Sequence, residues 1–355
     1  MSDQIFGVIM HRRQFLAVLA GLAAVGGAAS CANPANRPGA EESTASASPG
    51  AAFPATVKHR YGTTEVPSAP QRIVCLGQTD HDPTVALGYT PIALAGFVDS
   101  TYTPVRPWNQ QAFSTKPPVL NMLEIEFEKV AALEPDLILA VMSGITKGDY
   151  AKLTAMAPTV AQPVDYEDWA VPLRPHTELI GAALGKPDEA TKLLTDLEGA
   201  FTNTRKQNPI LNGKHAACAE LWGSDFSVLG ASAPRTQFLI ALGMSMPDGL
   251  AKLVGNKYNA PLSSEKVDLI DELDVVIWTT EHTDTKALLE HKLVRDLRTT
   301  KEGRYVLASN GGNDDLLYSM DWGSILSYRW ALENATPRIV KALDGDPATD
   351  PNAAS

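Results

Sequence analysis

Asp80-His81-Asp82 is the one dense cluster of carboxylate and imidazole groups in the chain, and it directly follows the apolar run Arg72-Ile73-Val74-Cys75-Leu76-Gly77. An Asp beside a His can polarise a hydroxyl or a water for acid–base chemistry. The usual companions of that chemistry are missing. There is no Gly-x-Ser-x-Gly turn, no Gly-Lys-Ser/Thr phosphate loop and no dinucleotide fingerprint. Gly77-Gln78-Thr79 lacks the further glycines. Metal chemistry is little better supported. The chain has 7 His, and none are paired at ligand spacing on one element. His81 and His282 could supply two ligands, but a Zn or Mn site needs several convergent N or O donors. The other candidates recognise rather than react. Arg offers a forked donor set to anionic oxygens. Trp and Tyr offer a flat face with one polar handle. Tyr102, Arg106 and Trp108 share a long loop, and Trp222 and Arg235 follow a second apolar run. The residues therefore read as a binding protein, with no catalytic residue and no cofactor of its own.

Two matched halves would position these groups. The first has a buried strand at 72–77, a helix stopped at Ala86-Leu87-Gly88, a helix opened by Glu128-Lys129-Val130, and a strand at Asp136-Leu137-Ile138-Leu139-Ala140-Val141. The second repeats the order with a strand at 215–223, a helix stopped at Ala241-Leu242-Gly243, a helix opened by Glu265-Lys266-Val267, and a strand at Asp274-Val275-Val276-Ile277-Trp278. Short apolar runs bounded by Gly read as buried strands, and Gly after a helix reads as its stop. Strands alternating with helices imply parallel sheets covered on both faces. The expected fold is α/β, two Rossmann-like lobes with mostly parallel sheets, joined by a long rigid helix. Between the lobes, Leu179-Ile180 and Ala183-Leu184 form an apolar stripe, and Pro187 starts a fresh helix. One helix is expected to bridge the lobes and the second to open the C-terminal lobe.

The N-terminus reads as an export signal. Arg12-Arg13-x-Phe15-Leu16 resembles a twin-arginine signal, and the apolar stretch after it is short of the ~20 residues that span a bilayer. Ala28-Ala29-Ser30-Cys31 resembles a lipobox, with Cys31 as the acylated residue; Met10 is an alternative start. The expected plan is a signal peptide over 1–30, a tether over 31–55, an N-terminal lobe over 56–168, a connecting helix region over 169–205, a C-terminal lobe over 206–345 and a disordered tail over 346–355. The tether has almost no large apolar residues. Cys75 and Cys218 sit in apolar runs and read as free buried thiols, although an exported protein could pair them. The net charge of −11, without Lys/Arg runs, argues against nucleic acid and against electrostatic docking on anionic lipid.

In open parallel sheets a ligand binds beyond the carboxyl ends of the strands. With two facing lobes those ends should line one cleft. They supply Thr79, Asp80 and His81, then Met142, then Trp222, then Glu281 and His282, with Arg235 opening the next helix. Tyr102, Arg106 and Trp108 would form the rim. Trp278 reads as core.

Val66 to Val74, Phe127-Glu128-Lys129-Val130-Ala131-Ala132-Leu133-Glu134-Pro135-Asp136-Leu137-Ile138-Leu139, Leu179 to Gly185 and Phe238 to Gly243 together resemble the iron–siderophore periplasmic binding proteins, which share their plan with vitamin B12-binding proteins. The likeness runs from about Thr56 to Leu343, and the actinobacterial lipoprotein branch is most similar. The resemblance implies a monomeric solute-binding protein that delivers a ferric siderophore to the membrane subunits of an ABC importer. It makes Glu128 and Glu265 the permease-docking residues, one per lobe. Haem, a corrinoid or a metal ion is the alternative cargo, with Met142, His81 or His282 as an axial-type ligand.

Overall fold

The computed structural model describes residues 53–97, 103–280, 285–309 and 315–352. The signal peptide, Cys31, most of the tether, Tyr102, Glu281 and His282 lie outside the described residues.

The first element precedes the expected strand at 72–77. Residues of alternating burial form an antiparallel hairpin of β1 (Ala55–His59) and β2 (Gly62–Val66). Ala55, Val57 and Val66 point into the N-terminal core. Then follow β3 (Ile73–Cys75), α1 (His81–Ala86), β4 (Ala93–Gly96), β5 (Val119–Asn121), α2 (Phe127–Ala132), β6 (Leu137–Ala140), α3 (Lys147–Thr154) and β7 (Thr159–Ala161). The strands form a parallel sheet in the order β5-β4-β3-β6-β7. β3, β4, β6 and β7 are buried along their whole length, as a sheet covered on both faces requires.

The connector is α4 (Leu173–Ala183) and α5 (Pro187–Gln207). The expected roles of the two helices are corrected here. Ile180 and Ala183 of α4 lie in the N-terminal core, and only Leu173 at its start packs against the C-terminal one, so α4 belongs mainly to the first lobe. α5 is the bridge: its Ala190 lies in the N-terminal core, whereas Leu194, Leu197 and Phe201 lie in the C-terminal core. The apolar stripe of α5 is long enough to serve both.

The second lobe contains β8 (Ala216–Trp222), β9 (Asp225–Leu229), α6 (Pro234–Ala241), α7 (Asp248–Val254), β10 (Asn259–Pro261), a 3-10 helix (Ser264–Glu272) and β11 (Val275–Thr280). It continues through α8 (Thr285–Glu290), α9 (Lys292–Arg295), α10 (Arg298–Lys301), β12 (Tyr305–Ser309), α11 (Asp315–Asp321) and α12 (Ile325–Ala342). Its sheet order is β10-β9-β8-β11-β12. Counted within each lobe, both sheets have the same order of strands. They differ at one strand. β4 runs parallel to β3, whereas β9 folds straight back on β8. Trp278 is fully buried in the second core.

The repeat extends to single side chains. The Asp136 carboxylate accepts from the backbone N–H of Gln71 (2.7 Å) and Arg72 (2.8 Å), just before β3. The Asp274 carboxylate accepts from the N–H of His215 (2.9 Å), just before β8, and from Lys214 Nζ (3.2 Å). Each Asp therefore pins the entrances of its lobe's two central strands together. Gly88 and Gly243, which end α1 and α6, both have φ near +85° (+85° and +87°), where a side chain would strain the stop.

Burial works against the Asp274 charge, but the donors from His215 and Lys214 outweigh it and hold its pKa down. A depressed carboxylate stabilises the fold above its unfolded pKa, about 4, and that contribution is lost as pH falls. Asp274→Ala should therefore cost about 1 kcal/mol at neutral pH. The difference from wild type should shrink towards pH 3, measured by urea unfolding at both pH values.

Candidate functional site

Strand order reverses between β3 and β6 in one lobe and between β8 and β11 in the other. The loops leaving adjacent strands part at such a point and leave a crevice beyond the strand ends. Asp80 closes the bottom of the first crevice. Its Oδ2 accepts from the N–H of Val141 (2.8 Å) and its Oδ1 from that of Met142 (2.9 Å), both just past β6. His176 Nε2 of α4 is 2.9 Å from the same Oδ1. The carboxylate is fully buried. A Cβ on Gly77 would lie 2.2 Å from Asp80 Oδ2, so only glycine lets the loop close over it. Asp80 was expected to touch ligand, and this is corrected: both its oxygens are occupied by the protein. Thr79 is likewise buried at 1% exposure, behind the crevice surface. Met142 and Gln78 are half-buried at the strand ends.

The next carboxylate joins the lobes. Asp82 accepts from Trp108 Nε1 (3.0 Å) and Asn109 Nδ2 (2.8 Å) of its own lobe. It also accepts from Ser324 Oγ of the other lobe. Ser324 is the N-cap of α12, and its Oγ accepts from the Ser327 N–H (3.0 Å). Asp82 thus lies against the positive end of an 18-residue helix. Aromatic edges pack around this contact. The Trp322 ring lies 5.3 Å from Trp108 and 5.4 Å from His81, nearly perpendicular to each, and Trp330 lies 5.7 Å from Trp108. His81 is fully buried, with Asp82 Oδ1 3.5 Å from its Nε2. Burial lowers its pKa, opposed by Asp82 and Asp80. Sealed under Trp322, His81 is not placed to meet a ligand or serve as an axial ligand, which corrects that expectation.

Both expected arginines are buried, Arg106 in the loop between β4 and β5 and Arg235 in the first turn of α6. Arg106 Nη1 lies 3.2 Å from Asp315 Oδ1 across the lobes, with its guanidinium 4.0 Å over the Tyr318 ring. Arg235 donates from Nη2 to Glu220 (2.6 Å), from Nη1 to Thr279 (2.5 Å) and from Nε to Asp321 (3.0 Å). Burial opposes the Arg235 charge, but Asp321 and Glu220 more than restore it, and its pKa rises. Each arginine has a carboxylate partner within the protein. Trp222 is half-buried at the end of β8. Asn109, His176, Glu220, Asp315, Asp321, Trp322 and Ser324 were all missed. Only Ser324 had a local signal, as a Ser three residues before Ser327 at a helix start.

Glu128 and Glu265 are exposed in the first turns of α2 and the 3-10 helix. Each follows the edge strand of its sheet, β5 or β10, and precedes the strand beside the lobe's first, so each stands at the crevice end of its lobe. Cys75 and Cys218 are free and buried. Burial raises both thiols, Cys218 to about 12, which keeps them protonated and unreactive. Among the described residues, no group of three or more His, Cys, Asp or Glu is arranged to hold a metal ion, and no helix is long and apolar enough to cross a membrane.

The family described as periplasmic binding protein matches residues 73–310. The Fe(3+) dicitrate-binding periplasmic protein FecB of Escherichia coli is 29% identical over 57% of this chain and 69% of its own length. The petrobactin-binding protein YclQ of Bacillus subtilis is 22% identical over 82% of this chain and 87% of its own. The crystal structure of a periplasmic solute binding protein from Mycobacterium smegmatis matches with a TM-score of 0.71 at 32% identity, over 81% of this chain and 98% of that one. Streptococcus pneumoniae PiaA, solved with ferrichrome, matches in fold with a TM-score of 0.67 at 24% identity, over 82% and 99%.

The depressed His81 pKa has a sign that can be measured. A histidine held neutral in the fold binds fewer protons than in the unfolded chain, whose imidazoles titrate near about 6.5. Stability should therefore fall as pH drops below about 6.5. His81→Gln should remove up to one proton of that dependence, about 1.4 kcal/mol per pH unit. His59, also lowered by burial, accounts for part of what remains. Denaturant titrations between pH 5 and 7 (a window of about two units) test this.

Proposed function

Because the chain belongs to the periplasmic binding protein family, we propose that it is the capture subunit of an ATP-driven importer and that its cargo is a ferric siderophore. The match from 73 to 310 carries this reading, because it spans both lobes and both crevices. The relatives narrow the cargo. FecB is named for Fe(3+) dicitrate and YclQ for petrobactin, and PiaA and SirA were solved with ferrichrome and staphyloferrin B. Half-buried Trp108, Met142, Trp222 and Gln78 give the crevices flat apolar faces with a few polar handles, suited to a bulky chelate. The role is binding and delivery, with no covalent step.

The same reading covers export and docking. The Arg12-Arg13 signal and Cys31 support a lipid-anchored protein on the outer face of the cytoplasmic membrane, and two further Bacillus subtilis relatives carry lipoprotein in their names. Exposed Glu128 and Glu265, at matched places on the lobes, would pair with basic residues of the two membrane subunits.

Two measurements test this. Ferric siderophores should quench the intrinsic tryptophan fluorescence with one-to-one stoichiometry. Haem or cobalamin binding in their place would redirect the cargo. In cells, the double variant Glu128→Ala, Glu265→Ala should keep its ligand affinity within about twofold, as exposed carboxylates away from the ligand allow, while iron uptake collapses. Undiminished uptake would remove the docking assignment.

A further inference from the structure

We infer that the cleft selects ferric complexes without net negative charge, neutral or cationic. This rests on the siderophore-binding reading and names the charge class of its ligand. Two arginines would suggest an anion site, Arg106 in the loop between β4 and β5 and Arg235 at the start of α6. Their surroundings reverse that reading. The Arg106 side chain is 2% exposed and its partner Asp315 is 25% exposed. The Arg235 side chain is 6% exposed, against 23% for Asp321 and 9% for Glu220. Asp315 and Asp321 are more open to solvent than their arginines, whereas Glu220 is buried together with Arg235.

Chemistry explains the arrangement. A guanidinium is planar and weakly hydrated, so it tolerates burial over a ring, as Arg106 does over Tyr318. A carboxylate is more strongly hydrated, and Asp315 and Asp321 each keep part of their surface in solvent. Among the described residues, these ion pairs set three carboxylates, Asp315, Asp321 and Glu220, against two guanidiniums. Asp80 and Asp82 lie behind them, fully buried. Lys147, at the start of α3 beyond β6, is an exposed and solvated rim cation. An anionic complex would have to approach Asp315 and Asp321, or pull Arg106 and Arg235 away from the carboxylates they already hold, and leaving a largely buried charge without its partner is unfavourable. A neutral trihydroxamate with amide N–H groups, or one carrying an ammonium, meets acceptors directly.

The test is a tryptophan-quenching titration of the whole mature protein with four ferric complexes at one ionic strength. The probes are cationic ferrioxamine B, neutral ferrichrome, anionic Fe(3+) dicitrate and an anionic tricatecholate. The first two should bind about tenfold tighter or more than the last two. Asp315→Asn with Asp321→Asn should narrow that gap, by raising affinity for the anionic pair; thermal melts check that this variant is folded. If an anionic complex binds tightest to wild type, the charge inference fails and the siderophore reading stands. If none of the four binds, the siderophore reading fails and takes the inference with it.

Discussion

The Asp82 carboxylate receives hydrogen bonds from Trp108 and Asn109 on one lobe and from Ser324 on the other. Removing a carboxylate from water costs several kcal/mol unless donors replace the lost hydration. Those donors are complete only while the lobes touch. Drawing Ser324 away would leave a buried carboxylate short of a partner and strip the first turn of α12 of the group that faces it. The aromatic edges of Trp108, Trp322 and Trp330 seal the contact from water, which raises the cost of opening it. The rest of the interface follows from this one point. His81 is trapped beside it, and Arg106 crosses to Asp315 nearby.

Duplication explains why each lobe has a crevice at the same place in its sheet. Each lobe has the same strand order, and each uses one Asp to lock the entrances of its two central strands, Asp136 to Arg72 and Asp274 to His215. Pinning the entrances fixes where the exits emerge, because parallel strands held at one end stay in register at the other. The exits are where the side chains of interest sit. The departure from symmetry is also informative. In the second lobe the hairpin of β8 and β9 replaces a helical crossover. That shorter route brings Ser227 beside Glu220 (3.0 Å) and leaves Glu220 free to reach Arg235. The first lobe has no counterpart of this ion cluster among the described residues.

Much of the fold was legible because its signals are local. Ile73-Val74-Cys75 and Leu137-Ile138-Leu139 read as buried strands, Leu87-Gly88 and Leu242-Gly243 read as stops, and Trp278 read as core. The hairpin of β1 and β2 was legible too, since Thr56 to Val66 alternates around Gly62, but weak polar alternation is easily passed over. The bridge was misassigned because both connector helices carry apolar stripes, and nothing in a stripe says which core it enters. The site was legible in position and poorly legible in role. Arg235 finds partners 15, 44 and 86 residues away, and Asp82 finds one 242 residues away. Residue type told which groups could recognise a ligand. It could not tell which had already been satisfied by the protein itself.

These constraints bear on how the lobes can move. α5 has 21 residues, about 30 Å of helix, and it is packed into both cores, at Ala190 and at Leu194 to Phe201. Bending it would break main-chain hydrogen bonds or pull one end from its core. A hinge of crossing strands has no such penalty. With α5 as strut and Asp82 as clasp, a wide opening and closing motion would cost more than a ligand's contacts readily return. The crevice must therefore exist largely formed before anything enters it. Preformed shape and fixed charge then do the selecting, and the burial of both guanidiniums behind carboxylates becomes a property of the free protein rather than something a ligand rearranges.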